Sequence, residues 1–458
     1  MKIIIDSWAW AQKTDLNPAQ LDLLRKALTI TPRKVGDHPG DAPSPIPLYS
    51  ENAAVFGMPR QFFLSRRKPA HEVDFRTTLG DKTLWPGPLK FAGKLRPEQA
   101  EAIQQVATQF RAGSLGGIVR AVPGWGKTVF ACALMAELQV PTLVVVHKSF
   151  LMDQWMTRIA LGDATIAPFL PGAKVGIAQG PNCDFKGRHI VIGMVESLCE
   201  KDYGEEFRNY FGLVITDEVH RIGAATWSLV PPMFKAKWRL GLSATPRRKD
   251  GADGVFHHHI GEVIFAAKEV RMVPKIRRVW VTPSMFKVFH SPSFNPSLIK
   301  KTMLLRFMCA STARNTMIAE QVALAVKAGR KCLVLSERLQ HLRDLETILY
   351  KVWGDETSQP SVGYYIGGQE KESLEEAAKC KVIFATSQLV QEGLDIPSLD
   401  TIFLTTPLSD IEQAVGRILR PCEGKKEPIV VDLRDDHVTI CRKYGEYRDK
   451  FYKKIGWE

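Results

Sequence analysis

Short apolar runs recur along the chain, separated by amphipathic stretches. In the first half they fall at 117–122, 141–146, 189–193 and 212–216. None alternates strictly between apolar and polar positions. A strand covered on both faces has no polar side to alternate with, so these runs predict buried strands of a parallel sheet flanked by helices. The rhythm lapses between Glu262 and Phe307, where Pro274, Pro283, Pro292 and Pro296 fall. It resumes at 331–335, 381–385, 401–404 and 428–431. The pattern predicts two α/β domains joined within the lapse.

The first 90 residues read differently. Asn17-Pro18 is an N-cap followed by a proline suited to a first helical position. The helix that it starts runs to about Leu28, with Leu21, Leu24 and Leu28 on one face. Residues 36–47 are dense in Gly, Pro and Asp, the composition of a loop. The expected division is 1–90 for a small N-terminal α+β domain, 91–265 for the first α/β domain and 266–458 for the second.

Composition narrows the class. Of 458 residues, 45% are hydrophobic and 24% charged, which suits a soluble globular protein with several cores. The longest apolar runs fall short of a membrane span, and the stretch Met1-Lys-Ile-Ile-Ile-Asp6 meets a charge too early for a secretory leader. The eight cysteines are scattered without zinc or redox spacing, so a reducing cytoplasm is expected. The net charge of +13 favours a polyanionic partner, nucleic acid, over plain lysine-rich solubility only about evenly.

The chemistry begins at Ala121-Val-Pro-Gly-Trp-Gly-Lys-Thr128. An apolar run leads into it and a helical run leads out. Gly124 and Gly126 permit backbone angles that let successive N–H groups converge on an anion at a helix N-terminus. Lys127 then brings charge to the outer phosphates and Thr128 a hydroxyl to Mg²⁺. Ala121 stands where the strict pattern has glycine, and a chance Gly-Lys-Thr turn is the bland alternative. Asp217-Glu-Val-His220 directly follows the 212–216 run. Carboxylates at the C-terminal end of a buried strand lie in the crevice where open α/β sheets bind ligands. There Asp217 can hold Mg²⁺ and Glu218 can orient or deprotonate water. Together the two motifs specify a Mg-nucleotide site.

The order of motifs across 95–420 resembles that of superfamily-2 helicases of the DExH kind. The resemblance implies two tandem RecA-like domains, ATP as the nucleotide, and residue roles as follows. Leu95-Arg-Pro-Glu-Gln99 is similar to the entry motif whose glutamine reads adenine, here Gln99. His147-Lys148 with Gln154-Trp155, and Gly193-Met-Val-Glu-Ser197, resemble the segments that lie on the nucleic-acid backbone. His220 belongs to the DExH motif, and Ser243 and Thr245 lie in a segment whose hydroxyls couple hydrolysis to domain closure. Thr386, in Ala385-Thr-Ser-Gln388, is a backbone contact by the same resemblance, and Gly393 and Asp395 fall on the nucleotide side. Gln413-Ala-Val-Gly-Arg-Ile-Leu-Arg420 is similar to the motif that supplies the arginines.

That last motif also reads physically. Ser409-Asp-Ile-Glu412 is a capping box, so a helix starts near Asp410. Gln413, Arg417 and Arg420 then share a face, while Ile411, Ala414, Val415, Ile418 and Leu419 pack. Two arginines on one face suit stabilisation of a transferring phosphoryl group. With the phosphate loop in one domain and the arginines in the other, ATP would draw the domains together and hydrolysis would release them.

Three clusters keep two readings. Arg60-Gln-Phe-Phe-Leu-Ser-Arg66-Arg67-Lys68 either grips duplex phosphates, with an aromatic wedge, or is a hydrophobic strand with solvated basic flanks. His257-His-His259 as an extended run lacks the partners of a metal site. Arg247-Arg-Lys249 touches phosphate or is a solvated turn, and the basic helix from Val438 onward is solvated. Within the superfamily, Ser243-Ala-Thr-Pro-Arg-Arg-Lys-Asp-Gly251, a short insert before Gly261 and a small N-terminal domain resemble the XPB-like and phage UvsW-like branch. The resemblance implies a monomeric DNA helicase of a bacterial or phage-infected cell, acting on single-stranded and branched DNA, 3′ to 5′. An RNA remodeller, or the motor subunit of a restriction or repair complex that translocates without unwinding, are the rivals.

Overall fold

A computed structural model describes the chain apart from residues 34–43, 69, 82, 84, 123, 164–165, 221–226, 249, 269–271, 286–300, 370, 388–395, 409–410, 420–421, 423 and 458. It forms two compact units, Met1–Glu269 and Val270–Glu458. No described helix is long and apolar enough to cross a membrane.

The first unit is built on an eight-stranded sheet. Its strand order is Asn182–Cys183, Val175–Gln179, Ile190–Met194, Thr142–Val146, Leu213–Asp217, Trp238–Ser243, Gly116–Arg120 and Val263–Ala266. Every pairing is parallel except the first. The continuous apolar runs have the expected cause. Val144 and Val146 join the core under helices Pro97–Arg111 and Lys127–Leu138, while Leu143 and Val145 join a separate core on the opposite face. Each strand thus buries both faces.

The N-terminal segment adds a five-stranded sheet: Ser50–Glu51, Val55–Met58, Ala9–Gln12, Lys2–Ile5 and Glu72–Phe75. Helix Pro18–Ala27 starts on a capping box in which Asn17 and Gln20 exchange side-chain and main-chain bonds. This sheet lies within the first unit because it shares that unit's core. Ile3, Ile5, Phe56, Phe62 and Phe63 pack with Ile118, Val255, Phe256 and Ile260. Two buried arginines tie the seam. Arg60 donates to Ala236 O at 2.8 Å, and Arg239 donates to Ser7 O at 2.7 Å. Neither meets a carboxylate among its hydrogen bonds, and burial pushes Arg60 down to about 9.

The second unit carries a six-stranded parallel sheet in the order Lys275–Trp280, Ile429–Arg434, Thr401–Leu404, Cys332–Ser336, Val382–Thr386 and Val362–Tyr365. Val334 and Phe384 face one core, Leu333 and Ile383 the other. The proline-bearing lapse is less irregular than its sequence suggests. It supplies an edge strand to each sheet, Val263–Ala266 and Lys275–Trp280, and helix Lys301–Ala310. An edge strand has one solvated side, so Lys275, Arg277 and Trp280 are exposed and no apolar run announces it. The terminal basic helix is Thr439–Lys454. One of its cations is not solvated: Arg448 is buried, 2.8 Å from Asp432, and donates to Leu408 O.

Candidate functional site

Strand Gly116–Arg120 delivers the chain to the glycine turn. Gly124 and Gly126 have φ of +84° and +95°, a region that side chains with a Cβ resist. A Cβ on Gly126 would also lie 2.4 Å from Gln99 Nε2. Helix Lys127–Leu138 starts at the next residue, so its first N–H groups have no intrahelical acceptors. Gln99 braces this turn. Its Oε1 accepts from Arg96 N–H at 2.9 Å and its Nε2 donates to Trp125 O at 2.7 Å. Trp125 is packing rather than chemistry: its ring lies against Phe130 and Phe265, and its indole donates to Glu98 at 2.7 Å.

Strand Leu213–Asp217 ends at the acidic pair. Lys127 Nζ lies 3.1 Å from Glu218 Oε1, so the two motifs meet directly. Glu218 has φ +49°, a conformation that costs about 1–3 kcal/mol for a residue with a Cβ. Asp217 is held at both oxygens. Oδ1 accepts from Glu218 N–H at 3.0 Å and Oδ2 from the Trp155 indole at 3.0 Å. Burial, and then the neighbouring Glu218 carboxylate, push Asp217 up to about 6. Among the described residues no group of three or more His, Cys, Asp or Glu could hold a metal by itself. A hydroxyl on the first helical turn and one carboxylate are instead the hard oxygen donors of a cation shared with phosphates. Thr128 and Asp217 fit that role.

Behind the acidic pair lies a second relay. His220 Nδ1 is 2.9 Å from Ser243 Oγ and 3.5 Å from Glu218 Oε2. Ser243, fully buried at the end of strand Trp238–Ser243, also accepts from Thr245 N–H at 3.2 Å. Arg248 donates to His220 O at 2.7 Å and is paired with Asp250. It is therefore an internal strut, neither a phosphate contact nor a solvated turn.

The remaining predicted residues are placed separately. His147 and Lys148 precede helix Ser149–Met156, which carries Gln154. Ser197, on helix Val195–Glu200, accepts from Gly180 N–H at 2.9 Å. Thr386 ends strand Val382–Thr386. Arg417 lies on helix Glu412–Ile418, whose N-cap is Ile411 without a side-chain cap, so the helix starts two residues beyond Asp410. Ile411, Ala414, Val415, Ile418 and Leu419 are buried as expected. Gly393, Asp395, Arg420 and the side chain of Gln413 lie outside the described residues.

Two clusters need correction. Arg60, Phe62 and Phe63 are buried on the short helix Arg60–Leu64, so neither phenylalanine is free to wedge and Arg60 cannot reach a phosphate. Arg66, Arg67 and Lys68 are exposed, with the Arg66 guanidinium 4.0 Å above the Phe62 ring. The three histidines lie on helix Gly254–His259, not on an extended run. His259 is buried and His258 stands edge-on to Phe62. The contributions of Trp155 and Arg248 were missed, because a sequence shows neighbours in order and not which buried donor reaches which acceptor. Trp155 follows Gln154 inside a motif already recognised, which was the available signal.

Comparison with known proteins agrees with this geometry. Residues 92–248 match the family described as type III restriction enzyme, res subunit. A protein of Acanthamoeba polyphaga mimivirus, provisionally named an ATP-dependent RNA helicase, is 29% identical over 94% of this chain and 81% of its own length. A protein of Invertebrate iridescent virus 6, provisionally named a helicase, is 26% identical over 80% of this chain and 82% of its own. A solved fragment provisionally described as the HsdR subunit of a type I restriction enzyme from Vibrio vulnificus shares the fold, with a TM-score of 0.54 at 19% identity, over 75% of this chain and 65% of that one. Residues 92–248 thus match a helicase-bearing restriction-enzyme family, and over most of its length the chain is similar to viral proteins named as helicases.

Proposed function

We propose that the protein is an ATP-dependent DNA helicase that unwinds or branch-migrates forked and junction DNA, moving 3′ to 5′, with Mg²⁺ as its cofactor. The observation that carries the nucleotide chemistry is the 3.1 Å contact between Lys127 and Glu218 beside a glycine turn. It brings a phosphate-binding cation and a water-activating carboxylate to one point.

In this reading Lys127 and the first N–H groups of its helix bind the outer phosphates. Thr128 and Asp217 would hold the Mg²⁺, which would supply charge neutralisation to the phosphates. Glu218 orients the attacking water and takes one of its protons as the water oxygen bonds to the terminal phosphorus, whose bond to the bridging oxygen breaks and releases ADP. Arg417 and Arg420 would act on the charge of the transferring group, with Gln413 as a further polar residue of the same motif. Gln99, Gly393 and Asp395 complete the nucleotide contacts. His220, Ser243 and Thr245 pass the change at Glu218 to the end of the adjacent strand. His147, Lys148, Gln154, Ser197 and Thr386 contact the backbone of the strand being moved, and Arg66, Arg67 and Lys68 contact duplex.

The choice of DNA rests on the motif resemblance to the junction-remodelling branch. The mimivirus relative's name favours a second reading, RNA remodelling. ATPase activity measured with single-stranded DNA, forked DNA, duplex DNA and RNA separates them. The proposal expects forked and single-stranded DNA to stimulate most; stimulation by RNA alone overturns it in favour of the second reading.

A further inference from the structure

Trp155 sits where two functional elements touch. It belongs to helix Ser149–Met156, whose preceding residues His147 and Lys148 and whose Gln154 are assigned to nucleic acid. Yet its own side chain turns inward. It is 1% exposed, within the core that includes Leu151, Met152 and Ile159. Its indole N–H donates to Asp217 Oδ2 at 3.0 Å. The other oxygen of Asp217 accepts the Glu218 N–H. With one donor on each oxygen, the plane of this carboxylate is fixed, and each oxygen keeps a lone pair for a cation. A solvated carboxylate would have to give up rotational freedom on binding; this one has already lost it.

A second observation concerns the helix itself. Immediately after Trp155 and Met156 the chain continues as a π-helical segment, Thr157–Leu161. Such segments are rare and are found frequently at functional sites. Here the widened turn lies next to the residue that reaches out of the helix to the acidic strand.

We propose that Trp155 is a positioning residue for the cation site, and that its N–H sets the orientation in which Asp217 meets a nucleotide-bound divalent ion. The inference rests on the reading of Asp217 as the Mg²⁺ ligand. Donors that orient a metal ligand typically change metal affinity by about 10–100-fold when removed.

The test isolates the N–H from the ring. Trp155 is replaced by β-(3-benzothienyl)alanine, which keeps the bicyclic shape and has sulfur in place of N–H, and in parallel by Trp155→Phe. Binding of a fluorescent ATP analogue is titrated with Mg²⁺ and repeated in excess EDTA, with thermal unfolding as a control. The expected result is a Mg²⁺ requirement raised at least tenfold in the benzothienyl protein, with metal-free nucleotide affinity and melting temperature unchanged. An unaltered Mg²⁺ titration overturns the proposal. So does a parallel fall in metal-free affinity and melting temperature, which marks the N–H as part of the fold only. Wild-type binding that ignores Mg²⁺ overturns the nucleotide-site reading itself, and is recognised before any variant is made.

Discussion

His220 Nδ1 and Ser243 Oγ are 2.9 Å apart, joining the ends of two adjacent strands directly behind the acidic pair. The serine is fully buried, and the histidine side chain is 16% exposed. The contact offers a side-chain route by which a change at Glu218 reaches the strand that carries Ser243. Ser243→Ala removes the hydroxyl and leaves His220 without that partner. Unwinding of a fork is expected to fall roughly tenfold, about 1.4 kcal/mol of coupling, while ATP hydrolysis changes less than threefold. Equal losses in both activities would place the serine in the chemistry or the fold and not in coupling.

Gly126 offers a sharper test of the phosphate turn. Its φ of +95° and the 2.4 Å approach of Gln99 Nε2 both oppose a Cβ. Gly126→Ala must therefore break the bond between Gln99 and Trp125 O or distort the turn. Nucleotide affinity, read with a fluorescent analogue, is expected to weaken at least tenfold with the secondary structure intact. No loss in Gly126→Ala would show that the turn does not cradle phosphate.

The arginines of the second unit are expected to act late. Arg417→Ala and Arg420→Ala should bind ATP within about threefold of wild type and hydrolyse it at least a hundredfold more slowly, since a group that meets charge mainly in the transition state affects turnover more than binding. Single-turnover hydrolysis against equilibrium binding measures the two separately. Unchanged turnover would leave them as residues of an amphipathic helix.

How much of this was legible beforehand follows from what a sequence can encode. Residues 142–146 and 332–336 announced central strands because both of their faces are buried. Lys275–Trp280 did not, because an edge strand with lysine and arginine on its open side resembles a loop. The phosphate turn and the acidic pair were readable because their chemistry requires fixed residue types at local spacing. The bracing of Asp217 by Trp155 and of His220 by Arg248 joins residues that are distant in sequence, so a local motif can mark Trp155 but not its partner. The basic cluster misled for a related reason. Arg60, Phe62 and Phe63 look like a gripping surface beside Arg66–Lys68, yet one turn of helix sends them into the core.

The exposed remainder of that cluster still carries a prediction. Replacing Arg66, Arg67 and Lys68 with alanine is expected to weaken fork unwinding several-fold while ATPase stimulated by single-stranded DNA stays near wild type. Duplex affinity should fall, and the slope of log K against log salt should shallow by about 0.9 for each phosphate that is no longer neutralised. An unchanged slope with unchanged unwinding would make these three residues solvated surface.

In the proposed mechanism, hydrolysis at Lys127 and Glu218 drives strand separation. The decisive experiment follows a labelled forked DNA duplex with wild type and with Glu218→Gln, together with ATP binding and phosphate release. Wild type is expected to release phosphate and separate the strands. Glu218→Gln is expected to bind ATP as tightly while releasing phosphate at least a hundredfold more slowly and leaving the fork intact. A Glu218→Gln protein that hydrolyses ATP and opens the fork at the wild-type rate would rule this mechanism out.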